Sequence, residues 1–165
     1  GTEMPLEDVL AKVESLPPQW VCITGGEPLA HAREFKDLAM ALKARGYWIT
    51  VETAGTYKIP WTYPIDCWVM DIKCPGSGME QHNKYEEVGK LRGEDQLKFV
   101  VADRADFDFS LRVIKEHAPQ CHVLFSPVWG ELDPQMLADW VKHDAPKTRV
   151  SLQAHKYIWG DRRGF

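Results

Sequence analysis

The sequence predicts an α/β protein with a parallel sheet covered by helices. Three observations lead there. Short apolar runs alternate regularly with segments of helical periodicity. Six of those runs are near-continuous rather than strictly alternating, as expected of strands buried on both faces. Each run ends in polar or glycine-rich residues, where parallel α/β folds place ligands.

The elements follow in order. A first helix is expected from Glu3 to Leu16, because Leu6, Val9, Leu10, Val13 and Leu16 keep helical spacing and Pro17-Pro18 stops it. Trp20 to Thr24 reads as a short strand. Ala32 to Arg45 reads as a helix with Phe35, Leu38, Ala39 and Leu42 on one face and Gly46 as its C-cap. Strands are expected at Tyr47–Glu52, Asp66–Ile72, Gln96–Ala102, Cys121–Phe125 and Val150–Gln153. Between them lie a short helix at Tyr85–Leu91, a helix at Phe107–His117 with Asp106 as N-cap, and a helix at Pro134–His143 behind Asp133. No linker or repeat divides the chain, so residues 1–165 are expected to form one domain.

Composition narrows the class. The net charge is −4 with a pI near 5.9, which argues against a general nucleic-acid binder. No apolar run approaches the roughly 18 residues of a membrane span, and no signal peptide is visible at the acidic, Met-less start. The four cysteines, Cys22, Cys67, Cys74 and Cys121, form no C-x-x-C pair. Cys22 and Cys121 fall in strand-like runs, where a buried thiol is the usual outcome. Cys67 and Cys74 have a weak metal spacing. A reducing, cytoplasmic location is expected.

Thr24-Gly25-Gly26-Glu27-Pro28 stands out at the end of the first strand. Two glycines allow a sharp turn with positive φ and close approach of a ligand, and Glu27 puts a carboxylate at the edge. A plain strand-to-helix turn with a solvated Glu would look the same in isolation. The other strand ends carry Glu52 to Thr56, Asp71-Ile72-Lys73, Asp103-Arg104, Ser126-Pro127 and Gln153 to Lys156. Six such edges together point to a polar ligand site at one mouth. The common phosphate-binding, zinc-protease and serine-hydrolase motifs are absent. Among six histidines, His155 alone falls at an expected strand end. Lys73 follows a buried strand, which fits a functional role or an ion-paired one equally.

These pieces occur in a recognisable order: Gly25-Gly26-Glu27-Pro28, residues 52–56, 71–79, 97–101, 125–128 and 152–159. Together they resemble the radical S-adenosylmethionine (SAM) enzymes of the 7-carboxy-7-deazaguanine synthase family, over nearly the whole chain. The Gln153-x-His155-Lys156 tail narrows the likeness to that family. The resemblance implies a partial TIM-like (β/α) barrel and a homodimer. It implies SAM, a [4Fe–4S] cluster and Mg²⁺ as cofactors. The implied reaction is a radical ring contraction of 6-carboxy-5,6,7,8-tetrahydropterin to 7-carboxy-7-deazaguanine with loss of ammonia. By matching position, Gly25, Gly26, Glu27, Gly55, Asp71, Lys73, Ser126 and Trp129 would contact SAM, and Thr53, His155 and the terminal Phe165 the substrate. Many members have Ser-Pro-Lys where this chain has Asp71-Ile72-Lys73, and Asn where it has Ala54. The family's cluster cysteines, its Mg²⁺-binding Thr and the first barrel strand precede the segment matching Glu3 to Leu16, and none of the four cysteines matches a cluster position. The expectation is therefore an N-terminally shortened chain that holds neither group and is inactive alone. The alternatives are another radical SAM enzyme of the glycyl-radical activating type, or a cluster-free binding remnant.

Overall fold

The computed structural model describes residues 2–160. Six strands form one parallel sheet in sequence order: β1 (Trp20–Ile23), β2 (Trp48–Thr53), β3 (Cys67–Ile72), β4 (Gln96–Val101), β5 (His122–Pro127) and β6 (Arg149–Val150). The helices are α1 (Leu6–Glu14), α2 (Ala32–Ala44), α3 (Tyr85–Val88), α4 (Arg104–His117), α5 (Pro134–Asp144) and α6 (Ala154–Trp159). The result is an open, partial (β/α) barrel with β1 and β6 at its rims, as the sequence predicts in class and strand placement.

Strand order explains where the core sits. Parallel crossovers are right-handed as a rule, and with the strands in sequence order such crossovers all return over the same face. Ile49, Val51, Trp68, Leu97, Phe99 and Phe125 are buried on that face. Phe35, Ala39 and Leu42 of α2 pack there at helical spacing, and Phe35 lies 6.0 Å from the Trp68 ring. Phe107 of α4 meets Phe125 at 4.8 Å, and Phe125 stacks on Phe99 at 5.6 Å.

The other face corrects the expectation of strands buried on both sides. Burial alternates along β1, β2 and β4. Register places Cys22, Thr50 and Cys67 in one row, and Asp71, Lys98 and Leu124 in another, all on the helix-free face. A concave barrel interior facing a ligand or water need not be apolar. Cys22 is accordingly exposed, not buried.

Other boundaries also differ. The N-cap of α4 is Asp103, whose side chain accepts from the Asp106 amide, so the helix begins three residues before the expected Phe107. Asp106 is instead a buried carboxylate inside the first turn. Asp133 caps α5 as expected, accepting from the Gln135 amide at 2.9 Å. Residues 154–159 form α6 rather than an irregular tail. At the N-terminal ends of the strands, two acids fix the sheet to its connections. Asp66 accepts from the Ile49 amide at 2.8 Å and from Lys43 at 2.6 Å. Asp95, fully buried, accepts from the amides of Trp68 and Arg92 at 2.9 and 2.7 Å and from the Arg92 side chain. Among the described residues, no helix is long and apolar enough to cross a membrane.

Candidate functional site

The turn after β1 is organised by its own carboxylate. Gly25 and Gly26 have φ of +87° and +46°, and open space surrounds both where a side chain would begin. Glu27 then turns extended and caps the single 3-10 turn Pro28–His31. Its carboxylate accepts from the Leu29 amide at 3.0 Å, from the Thr53 hydroxyl at 2.9 Å and from the Ala54 amide at 2.7 Å. The solvated Glu of a plain turn is therefore not what forms. A fixed negative charge stands at the rim, tied to β2.

Thr53 and Gly55 lie at the end of β2. Thr53 is 3% exposed and its hydroxyl proton goes to Glu27. Gly55 has φ of +70°, and a Cβ there would overlap the carbonyl oxygen of Asp71 on β3. The glycine is thus needed for backbone against backbone. Its own carbonyl accepts from the Lys84 amide at 2.9 Å.

A cavity of about 340 Å³ opens at the ends of β3 and β4, lined in part by Asp71, Lys73, Val100, Asp106 and Glu131. Asp71 pairs with Lys73 at 3.1 Å, and Lys98 stands 3.9 Å from its other oxygen. The backbone of Lys73 is held on both sides by Asn83, which accepts from its amide at 2.8 Å and donates to its carbonyl at 2.9 Å. Beneath the cavity, Asp106 accepts from the amides of Gly76 and Ala102 at 2.8 and 3.1 Å. A Cβ at Gly76 would press on that carboxylate.

On the β5 side, Ser126 is 1% exposed and pairs with Val100 in register. The loop beyond it carries Trp129, whose ring meets Tyr157 of α6 edge-on at 4.7 Å. His155 is exposed on α6. Phe165 lies outside the described residues. The fold thus joins Glu27 to Thr53, Gly55 to Asp71, and Asp71 to Lys73. It sets Ser126 and Trp129 on one strand end and His155 on the helix packed against Trp129. The sequence did not single out Lys98 or Asp106 for the site. The signal for Lys98 was a cation inside an apolar run.

No family model matches the chain. It is 39% identical to the 7-carboxy-7-deazaguanine synthase of Leptospira interrogans, over 99% of this chain and 75% of that protein. It is 35% identical to the synthase of Koribacter versatilis, over 96% of this chain and 77% of that one. The synthase of Chlorobaculum tepidum is also 35% identical, with 99% and 77% covered. The chain belongs to the 7-carboxy-7-deazaguanine synthase family. Among solved structures, a domain of pyruvate-formate lyase-activating enzyme from Bacteroides vulgatus superposes with a TM-score of 0.57 at 13% identity. It covers 80% of this chain and 97% of that domain, a likeness of fold.

Family membership raises the question of an iron–sulfur cluster, which needs converging thiolates. This synthase-family chain does not bring its thiols together. Cys22 and Cys67 face the same side with β2 between them, roughly 10 Å apart by strand spacing. Cys67 and Cys74 lie at opposite ends of β3, about 20 Å apart by strand rise. Burial pushes Cys74 up to about 12, against the lowering effect of its Ser110 contact, and pushes Cys67 and Cys121 up to about 11. Burial also raises Cys22, with the Glu52 charge adding to the effect and Lys98 opposing it. Among the described residues, no group of three or more His, Cys, Asp or Glu could hold a metal ion. These residues fit neither a [4Fe–4S] cluster nor a Mg²⁺ site.

Proposed function

We propose that this chain carries the SAM- and pterin-binding part of a 7-carboxy-7-deazaguanine synthase. The reaction is SAM-dependent radical ring contraction of 6-carboxy-5,6,7,8-tetrahydropterin to 7-carboxy-7-deazaguanine with loss of ammonia. The observation that carries the reading is the Glu27 clasp beside the open main chain of Gly25 and Gly26. An ammonium needs acceptors and a compensating charge. The turn offers both to the methionyl amino group of SAM, with the carboxylate already oriented before the ligand arrives. Gly55, Asp71, Lys73, Ser126 and Trp129 line the remainder of the SAM site in this reading. Thr53, its proton committed to Glu27, meets the pterin as an acceptor for a ring or amino N–H. His155 and Phe165 lie toward the substrate.

SAM, when bound at a cluster, supplies the radical that starts the ring contraction. The cluster and Mg²⁺ ligands come from outside these 165 residues, and this chain alone is inactive; the scattered cysteines support that. Association as a homodimer and a reducing, cytoplasmic compartment belong to the same reading, the latter supported by four free thiols.

Anaerobic reconstitution with iron and sulfide, counted per chain, is the test, run beside calorimetry with SAM. The expected result is no stoichiometric cluster, with SAM binding that Glu27→Gln weakens roughly tenfold or more, as loss of a charge-assisted contact predicts. A stoichiometric cluster would overturn the claim of inactivity. Absence of SAM binding by the wild-type chain would overturn the SAM assignment.

A further inference from the structure

β3 ends at Ile72, so the peptide groups of Lys73 stand beyond the ladder and need partners from elsewhere. Asn83 supplies them. Its amide accepts from the Lys73 N–H at 2.8 Å and donates to the Lys73 carbonyl at 2.9 Å. One buried side chain thus does what a neighbouring strand would do. Its second N–H goes to the Tyr85 hydroxyl at 3.1 Å, and the Tyr85 ring stacks on His117 of α4 at 5.4 Å. Turned over, the amide would set donor against donor and acceptor against acceptor at Lys73, so a single orientation makes all three bonds. The next residue, Lys84, donates its amide to the Gly55 carbonyl at 2.9 Å. Asn83 and Lys84 therefore join the exits of β3 and β2, the two edges that carry Lys73 and Gly55.

The placement matters because of what Lys73 does to the cavity. Among the described residues that line it, Lys73 alone is a cation, against Asp71, Asp106 and Glu131. Asp106 is answered by the amides of Gly76 and Ala102. The pair of Lys73 with Asp71, at 3.1 Å, then sets much of the charge that a ligand meets. That pair is partly exposed, and such a pair is too weak to hold a long, flexible side chain by itself. The backbone from which the lysine springs has to be fixed, and Asn83 fixes it.

We propose that Asn83 is a positioning residue of the SAM site, acting through Lys73: it seats the Lys73 ammonium beside Asp71 before the ligand arrives. This rests on the synthase reading above. A ligand that meets a loose lysine must order it on binding and loses affinity by that amount, whereas a lysine already held adds no such cost.

The test is calorimetry with SAM on the 165-residue chain and its variants. Asn83→Ala should weaken SAM binding about tenfold, and Asn83→Asp, which keeps an acceptor for the Lys73 amide and loses the donor to its carbonyl, should fall between. In a Lys73→Gln background Asn83→Ala should have no further effect, the non-additivity of a residue that acts through another. Asp66→Asn, which disturbs the Lys43 and Ile49 contacts at the far end of the strands, should lower the melting temperature and leave SAM affinity unchanged. An Asn83→Ala chain that binds SAM as the wild type does overturns the proposal. So does a loss of the same size in the Lys73→Gln background, or a matching loss in Asp66→Asn. If Asn83→Ala does not fold, Asn83→Asp takes its place with the same outcomes. Absence of SAM binding by the wild-type chain overturns the preceding reading, and a measurement without ligand then decides on Asn83. Asp71→Asn should shift the Lys73 ammonium resonance of isotope-labelled chain when Asn83 is present and leave it nearly still in Asn83→Ala or Asn83→Asp. Equal shifts in both backgrounds overturn the positioning role.

Discussion

Replacing Gly55 by Ala separates two roles a glycine can have at a ligand site. The residue has φ of +70°, and an added Cβ would run into the Asp71 carbonyl oxygen, with the flexible end of Met70 at 3.2 Å. An L-residue in the left-handed region costs about 1–2 kcal/mol. Forcing the ends of β2 and β3 apart costs a further ~1–3 kcal/mol, since the obstacle is backbone and not a mobile side chain. The sum, about 2–5 kcal/mol, lowers the melting temperature of a chain of this size by roughly 5–15 °C. Gly25→Ala is the control. Its φ is +87° but nothing lies within 4 Å of the new methyl, so only the conformational cost applies, about 1–2 kcal/mol. Circular dichroism melts and urea titrations of both variants, without ligand, measure the difference. Should Gly55→Ala and Gly25→Ala melt together, the close strand approach is not what Gly55 serves, and the reasoning is refuted.

Three further outcomes are expected. Thr53→Val removes one donor from the Glu27 carboxylate and should cost about 1.5–3 kcal/mol in urea unfolding, while Thr53→Ser recovers most of it; equal stabilities would mean that the clasp contributes nothing. Glu87 is buried, and although burial alone would raise its pKa, hydrogen bonds from Lys90 and Trp61 and the Lys90 charge bring it below the ordinary 4.5. The folded carboxyl therefore ionises more readily than the unfolded one, so its stabilisation is complete above about pH 4.5 and is lost as pH falls through the lowered value. The stability gap between wild type and Glu87→Gln should be flat above pH 5 and narrow below 4.5, read from urea midpoints across that range. Iodoacetamide at pH 8 should label exposed Cys22 first, because burial keeps Cys67, Cys74 and Cys121 protonated; mass spectrometry showing Cys74 labelled as fast would contradict the packing.

Much of this fold was legible because apolar runs mark parallel strands strongly. Five of the six strands fall within about two residues of their expected positions, while β6 ends at Val150, three residues short of the expected Gln153; Asp133 was readable as a cap because Pro134 follows it. The α4 start was not, because Asp103 and Asp106 are three apart and either could be the cap. The choice is made by the loop at Gly76, whose amide recruits Asp106 from another part of the chain. Residues 154–159 gave no helical signal because α6 buries none of its residues. Its contacts include those across the loop to Trp129, from the Tyr157 ring and the Lys156 ammonium. The set of polar strand ends was visible, but the pairings among them were not. Glu27 and Thr53 are 26 residues apart, and their meeting depends on register. The same limit hid Lys98, whose partner Asp71 appears only once β3 and β4 are aligned.

The Glu27 carboxylate also bears on how the rim of the sheet comes apart. β1 is a short edge strand, the kind of segment that frays first. Its turn, however, is fastened to the end of β2 by two donors, Thr53 and Ala54, and braced from within by the Leu29 amide. Peeling β1 away therefore exposes an ionised group that had traded its hydration for those donors. By linkage, any cation that settles on the turn in the folded chain holds this rim closed, and whatever loosens the rim weakens its grip on the cation by the same free energy.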